Sequence, residues 1–420
     1  MSQNLTIITI LGAIALIDAI IYLFVPSMRK FAAIFARIFI GSVFIFSGFV
    51  KAVDPLGFAY KIHDYLTAFG LNWMLPASEA FAIIANIGEF AIGFVVFFGV
   101  RMRLFSWGTL LFMVFFTPLT FYLALKNPVS DCGCFGDFLL LTNWETFYKN
   151  LVFMTFALIV FGYRTRFYDR MVPNWGKNFI VFMGVSFALG IQLYALRYDA
   201  IIDFRPWKVG NNIAEQVVPT MEKSEIMLVY KNNTTGKEEL FTAQNLPWED
   251  SIRMANLTFV DQRKTVIQPF KEAPIHDFII ANKEGDNLTT DIMANENYHF
   301  LVIAYDLAKT NKKSFTILNQ FAQMCAKDSI SFVCLTGSTP GEMDAFIKDV
   351  KPVFPFYSTD PTALKTIIRS NPGILLIKNG VVVEKWAHRK MITFEEFNAN
   401  KSEYDATYSK YAAKPSPKQP

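Results

Sequence analysis

The chain has 420 residues, of which 52% are hydrophobic and 18% are charged. This composition excludes a disordered or fibrous protein and disfavours a wholly soluble one. A net charge of +4 gives no support for nucleic-acid binding, and four Cys are too few for a disulfide framework. Only 24 of the 76 charged residues lie in residues 1–199, so we predict that the first half of the chain is in a membrane and the second half is not.

Six apolar stretches of the first half are long enough to cross a bilayer, which takes about 20 residues. They are Leu5–Val25, Phe31–Val50, Ala80–Val100, Leu104–Leu125, Thr146–Tyr163 and Lys177–Leu196. We therefore predict a six-span membrane domain over residues 1–196. Lys and Arg are concentrated after the first, third and fifth spans, which indicates that those loops are cytoplasmic. The loops 51–79 and 126–145 and the whole of 197–420 are then predicted to lie outside, on the periplasmic face of a bacterial inner membrane.

The third span carries polar groups on one face. Glu79, Asn86 and Glu89 follow helical spacing, and Glu89 falls near the middle of the membrane with no obvious basic partner at its depth. A charge at that depth is costly. Glu89 is therefore either a protonated carboxyl bonded to a neighbouring helix or a group that handles protons or contacts a quinone. A transporter or lipid-handling role would rest on the same three residues.

The loop between the fourth and fifth spans contains the only two Cys of the membrane half, in the sequence Asp131-Cys132-Gly133-Cys134-Phe135-Gly136-Asp137. Gly133 allows the two Cys to approach, and a disulfide between them would close a small, strained ring that is easily reduced. The flanking carboxylates are expected to raise the pKa of the thiols. The pair is a candidate redox pair, a loop staple or an incomplete metal site. The four His show no ligand spacing, so no metal site is predicted.

Residues 31–165 resemble the DoxX-like superfamily, and within it the methylamine-utilisation MauE type. The resemblance rests on the runs Arg37 to Gly41 and Phe46 to Lys51 with Asp54-Pro55, the helix with Glu89, the DCGCFGD loop, and Trp144 with Lys149-Asn150. It implies a four-helix core in a membrane component that supports thiol-disulfide exchange or protein maturation. A thiol-disulfide or quinone-linked oxidoreductase is thereby implied, with quinone as its electron partner.

The second half is predicted to contain two parts outside the lipid bilayer. Residues 197–271 alternate short β-like runs with polar turns and are predicted to form a β-rich connector. From residue 272 strands and helices alternate, as in an α/β layer fold. Their order over residues 272–400 resembles the thioredoxin-like superfamily, and Asn371-Pro372 stands where that superfamily has its cis-proline. Residues 401–420 are polar and Pro-rich and are predicted to be disordered.

The region that resembles thioredoxins lacks their Cys-x-x-Cys pair. Residues 306–311 stand in its place without a Cys, while Cys325 and Cys334 fall in a helix and a strand, as small core residues do. Two hypotheses follow. In the first, Cys132 and Cys134 relay thiol-disulfide exchange while the thioredoxin-like domain binds a periplasmic protein client or redox partner. In the second, the protein is a non-enzymatic scaffold of an envelope complex and the Cys pair only shapes a loop.

Overall fold

The computed structural model describes residues 3–129, 131–167, 172–217, 221–268, 270, 273, 275 and 278–412. The helices of the first half are α1 (Gln3–Phe24), α2 (Arg29–Val53), α3 (Pro55–Ala68), α4 (Ser78–Phe98), α5 (Met102–Lys126), α6 (Asn143–Tyr163) and α7 (Asn174–Arg197). All of these except α3 belong to segments long and apolar enough to cross a membrane. The predicted six-span membrane architecture is thus confirmed.

Helices α2 and α4 pack with almost no space between their backbones. A Cβ atom on Gly48 of α2 would lie 2.7 Å from the backbone nitrogen of Phe90, and one on Gly93 of α4 would lie 2.6 Å from that of Ile45. Small residues allow membrane helices to approach this closely. The close packing brings the last turn of α2 against the middle of α4.

Two segments lie at the end of the bundle where α2 ends. Helix α3 is capped by the preceding residue, Asp54, whose carboxylate accepts a hydrogen bond from the backbone N–H of Gly57 at 3.1 Å. The loop that contains the two Cys returns the chain from α5 to α6, and α6 begins with a capping box between Thr142 and Glu145. The rings of Phe138 and Phe204 lie 5.3 Å apart, so this loop contacts the segment that follows α7.

The connector between the two halves contains a small antiparallel sheet. Its elements are α8 (Ile213–Gln216), β1 (Lys223–Asn232), β2 (Glu238–Phe241), α9 (Ser251–Ala255) and β3 (Leu257–Gln268). The strands pair in the order β2-β1-β3.

The remainder of the chain has a thioredoxin-like fold, as predicted. Its elements are α10 (Thr289–Met293), β4 (His299–Ile303), α11 (Lys312–Cys325), β5 (Ser331–Thr336), α12 (Pro340–Val350), β6 (Phe356–Ser358), α13 (Pro361–Ile367), β7 (Gly373–Lys378), β8 (Val381–Ala387), α14 (Phe394–Ala399) and α15 (Lys401–Ala412). The strand order is β6-β5-β4-β7-β8, with β4 parallel to β5 and antiparallel to β7. The Asn371-Pro372 peptide bond before β7 is cis. Cys325 and Cys334 are fully buried in the core, as predicted.

The end of the chain differs from the prediction of disorder. Residues 401–412 form α15, and the ring of Tyr404 packs against those of Trp386 and Phe397. Tyr404 and Tyr408 are one helical turn apart and both contact the core, which gives this polar helix an apolar side. Residues 413–420 lie outside the described residues.

Candidate functional site

Cys132 and Cys134 lie side by side, and neither forms a disulfide. Cys132 is 4% exposed, Cys134 is half-buried, and the two side chains share a hydrogen bond. That hydrogen bond lowers the pKa of Cys134 to about 6, and the charges of Lys149 and Lys51 act in the same direction against the effect of burial. The shared hydrogen bond and burial raise the pKa of Cys132. The charges of Lys149 and Lys51 therefore favour the thiolate form at Cys134, whereas burial and the neighbouring thiol disfavour it at Cys132.

Side chains of the membrane domain hold the backbone of the Cys loop. The hydroxyl of Tyr65 on α3 donates to the carbonyl of Cys132 at 2.7 Å. The hydroxyl of Ser47 on α2 donates to the carbonyl of Cys134, also at 2.7 Å. Gly133 between them has a φ of 64°, in the left-handed region that favours Gly. The loop is thus held at both Cys by helices that belong to the bundle.

The flanking carboxylates do not act on Cys134 as predicted. Asp131 forms an ion pair with Lys61 at 2.6 Å and accepts the N–H of Gly133 at 2.9 Å. Asp137 is itself affected by burial, which raises its pKa. The expectation of a raised thiol pKa is wrong for Cys134, because a neighbouring thiol and two lysines outweigh the acidic residues around it.

Lys149 on α6 is the cation beside the thiols. It is 6% exposed, and its Nζ lies 4.6 Å from the ring centroid of Phe135 and 5.4 Å from that of Phe153. Within the part of the chain that the structure describes, no carboxylate pairs with this ammonium group. A buried charge requires a partner of opposite sign. Cys134, whose pKa this charge lowers, is the candidate counter-ion of the ammonium group.

Glu89 has the basic partner that the sequence did not reveal. It forms a buried ion pair with Lys51, a residue that the sequence pattern places in an outer loop. Helix α2 continues to Val53, so its last turn carries Lys51 into the bundle toward α4. The amide of Asn86 donates to the carbonyl of Lys51 at 3.2 Å and supports the same turn. The expectation that Glu89 lacks a partner is wrong, whereas its proton-handling role stays a prediction.

A cavity of about 30 Å³, which we call the thiol cavity, adjoins the Cys pair. Its lining includes Cys132, Cys134, Lys51, Glu89 and Lys149. This volume holds one or two water molecules, since about 10–15 Å³ on this measure is enough for one. A quinone ring is larger than this space, and quinone as the electron partner stays a prediction.

A larger cavity of about 580 Å³, the interdomain cavity, lies between the membrane domain and the thioredoxin-like domain. Residues of α3 and the Cys loop form one wall, and residues 200–205 form another. Lys309 and four residues between 362 and 369 line it from the thioredoxin-like domain. Lys51 and Phe58 line both cavities, so these two side chains separate the thiols from the larger space.

Contacts across the interdomain cavity join the two domains. Nη2 of Arg369 lies 2.6 Å from Oδ2 of Asp54, and Nε of the same guanidinium lies 2.9 Å from Oδ1. Burial alone would raise the pKa of Asp54, but the charge of Arg369 holds it below its ordinary value. At a second point, Nζ of Lys390 donates to the hydroxyl of Tyr194 on α7 at 2.8 Å.

The fold and the site define a multi-pass membrane protein with a thiol pair at one end of its bundle and a thioredoxin-like domain over that end. Residues 28–163 match the family of the methylamine utilisation protein MauE, so the predicted MauE-type membrane domain is confirmed over this range.

No curated protein matches the chain. Two solved structures are similar to part of it. A thiol:disulfide interchange protein from Bacteroides sp. has 12% identity and a TM-score of 0.25, with 30% of this chain and 86% of that chain covered. A putative protein disulfide isomerase from Bacteroides thetaiotaomicron has 15% identity and a TM-score of 0.26, with 32% and 87% covered.

Sequence reasoning did not identify Lys51 and Lys149 as residues of the site. The predicted topology assigns Lys51 to the outer loop 51–79. The signal was present for Lys149, because the predicted fifth span begins at Thr146 and therefore contains it. An ionisable residue within a span indicates function by default.

Proposed function

We propose that the protein is a membrane thiol-disulfide oxidoreductase in which Cys132 and Cys134 cycle between a dithiol and a disulfide. The observation that carries this proposal is the hydrogen-bonded thiol pair beside the buried ammonium of Lys149. The thiolate is the nucleophile in thiol-disulfide exchange, and adjacent cations favour it. A loop staple would need neither a stabilised thiolate nor a buried lysine next to it.

The reaction begins when the thiolate of Cys134 attacks one sulfur of a partner disulfide. A bond forms between Cys134 and that sulfur, and the partner's other sulfur leaves as a thiolate. Cys132 then loses its proton and attacks Cys134, which forms the Cys132–Cys134 disulfide and releases the second partner thiolate. The protein loses two electrons and the partner disulfide gains them.

We assign Glu89 as the group that accepts the proton of Cys132. Its carboxylate and both thiols line the thiol cavity, which has room for a bridging water molecule. The ion pair with Lys51 holds the carboxylate in place at this cavity. The prediction that Glu89 handles protons is thereby kept as part of the proposed mechanism.

The site is proposed to work on the periplasmic face of the inner membrane. The distribution of Lys and Arg between the loops favours this orientation. The periplasm is also the compartment in which disulfides form and persist. A periplasmic molecule that carries a disulfide, as a client or a redox partner, is then the substrate, and the lipid bilayer is the permanent surrounding of the six spans.

The pH dependence of alkylation tests the thiolate. In the full-length protein in lipid nanodiscs, we expect iodoacetamide to modify Cys134 at a rate that is half-maximal near pH 6, because the pKa of Cys134 is about 6. The thiolate fraction, and with it the rate, rises as the pH increases through this value. Peptide mass spectrometry separates Cys134 from Cys325, whose pKa burial raises to about 12 and which serves as an internal reference. A half-maximal rate near pH 8.5, the ordinary range of a thiol, would contradict the proposal.

The alternative is a non-enzymatic scaffold in an envelope complex. The thioredoxin-like domain favours it, because residues 306–311 replace the usual dithiol and the domain is joined to the bundle by Arg369. In that case Cys132→Ser and Cys134→Ser would leave a stable stoichiometric complex intact. They would also leave the cellular phenotype unchanged.

A further inference from the structure

One face of the thioredoxin-like domain points toward the membrane domain. This is the face on which members of that superfamily carry their dithiol. Lys309, in the loop that follows β4, lines the interdomain cavity. So does Arg369, three residues before the cis-proline. The hydroxyl of Tyr305 at the end of β4 donates to the carbonyl of Arg369 at 3.1 Å, and Tyr305 also contacts Tyr60 of α3. This face is therefore covered by the membrane domain.

The contacts that hold this arrangement are of three kinds. Arg369 donates three hydrogen bonds to the carboxylate of Asp54, with only 7% of its side chain exposed. Nζ of Lys365 lies 5.2 Å from the ring centroid of Tyr60. The third is the exposed hydrogen bond from Lys390 to the hydroxyl of Tyr194 on α7.

The segment that connects the two domains is fixed as well. The guanidinium of Arg205 is 2% exposed and lies 2.7 Å from Asp203, and Nζ of Lys385 on β8 lies 2.6 Å from the same carboxylate. Opposite charges outweigh burial and raise the pKa of Arg205, so the guanidinium is charged. The connecting segment is thus bound to the thioredoxin-like domain and does not act as a free tether.

The interdomain cavity limits the size of what reaches the thiols. Its 580 Å³ lies within the range of about 300–1,000 Å³ that is usual for small ligands. A folded protein that binds specifically covers about 800 Å² on its partner, and the thioredoxin-like domain already occupies that surface. Lys51 and Phe58 line both cavities and thus lie between a ligand in this cavity and Cys134.

The lining also indicates the chemistry of the ligand. Lys365 lines the interdomain cavity, and its Nζ lies 5.2 Å from the ring centroid of Tyr60. Among the residues that the structure describes, no carboxylate forms an ion pair with this ammonium group. A carboxylate on the ligand is a suitable partner for it.

We propose that the thioredoxin-like domain is a lid over the Cys132–Cys134 pair and that the substrate is a small disulfide bearing carboxylates. Folded thiol proteins are excluded while the Arg369–Asp54 ion pair is closed. This inference rests on the proposed function. The thiolate of Cys134 attacks one sulfur of the small disulfide, and two small thiols leave as the Cys132–Cys134 disulfide forms.

Asp54→Asn tests the lid, because asparagine keeps the hydrogen bond to the N–H of Gly57 and removes the charge that Arg369 binds. The reduced full-length protein is mixed with oxidised glutathione, with hydroxyethyl disulfide, or with a folded, strongly oxidising thioredoxin-fold protein. Formation of the Cys132–Cys134 disulfide is followed by mass spectrometry. Lys312→Ala, which breaks the exposed ion pair with Asp349 in the same domain, is the matched control.

For the wild-type protein we expect oxidation by glutathione disulfide to be faster than by the folded oxidant. Asp54→Asn should increase the rate with the folded oxidant, relative to the rate with glutathione disulfide, by about tenfold or more, since a part-buried ion pair that holds the lid is lost. Lys312→Ala should change neither rate. Hydroxyethyl disulfide, which has no carboxylate, should react more slowly than glutathione disulfide at equal concentration.

If the folded oxidant oxidises the wild type and Asp54→Asn at equal rates, the proposal that the thioredoxin-like domain is a lid is overturned. Equal rates of the two small disulfides would overturn the assignment of carboxylates to the substrate. If none of the three disulfides oxidises the wild-type protein, the proposed function itself fails, and that result is distinct from the other two.

Discussion

Replacement of Cys134 by Ser is expected to abolish thiol-disulfide exchange. Replacement of Cys132 by Ser should instead stop the reaction after the first exchange step. We propose Cys134 as the nucleophile because its pKa is the lowered one of the pair, so its replacement removes the attacking group. In Cys132→Ser the first attack still occurs, but no second thiol releases the partner. The partner should then remain attached to Cys134 as a mixed disulfide.

The measurement is the mass of the intact protein after incubation with oxidised glutathione. We expect one added glutathione on Cys132→Ser and none on Cys134→Ser. Cys325→Ser is the matched control, because this core thiol lies in the thioredoxin-like domain and should leave the reaction unchanged. Stable modification of Cys134→Ser at Cys132 would reverse the assigned roles.

Lys149→Met is expected to slow the alkylation of Cys134 at pH 7 by about tenfold, because removal of the nearby charge lets the pKa of the thiol rise toward its ordinary range. Methionine keeps an unbranched apolar chain against the rings of Phe135 and Phe153. The whole pH profile of alkylation should move to higher pH. A structural role alone would lower stability without moving the profile.

Lys149→Arg is the matched control for this substitution, since it retains the positive charge. We expect its profile to remain close to that of the wild-type protein. Thermal unfolding of each variant in nanodiscs separates loss of fold from loss of the thiolate. An unchanged profile for a folded Lys149→Met protein would exclude Lys149 as the counter-ion.

The architecture could be predicted because it depends on patterns within short stretches of sequence. Runs of about 20 apolar residues predicted the six spans, and the alternation of strands and helices with Asn371-Pro372 before a hairpin predicted the thioredoxin-like fold. Disorder of the tail was predicted from composition, and it failed for residues 401–412. There the helix is largely polar, but its buried Tyr404 packs into the core and fixes the helix against the domain.

The environment of the thiols could not be predicted because it depends on contacts between distant segments. Lys51 and Glu89 meet only because Gly48 and Gly93 bring α2 and α4 together. The carboxylate of Asp131 is neutralised by Lys61, which lies 70 positions away in sequence. From the sequence alone, the closeness of Asp131 to the two Cys predicts that its carboxylate raises the pKa of the thiols.

The most direct measurement is a redox titration of Cys132 and Cys134 in the full-length protein in nanodiscs. The protein is equilibrated with glutathione or dithiothreitol buffers, and differential alkylation with mass spectrometry gives the oxidised fraction of each Cys. We expect the two residues to titrate together as one reversible two-electron couple, between about −120 and −270 mV as in known exchange proteins. A pair that stays reduced in air, or that no buffer reduces, would contradict the proposed oxidoreductase.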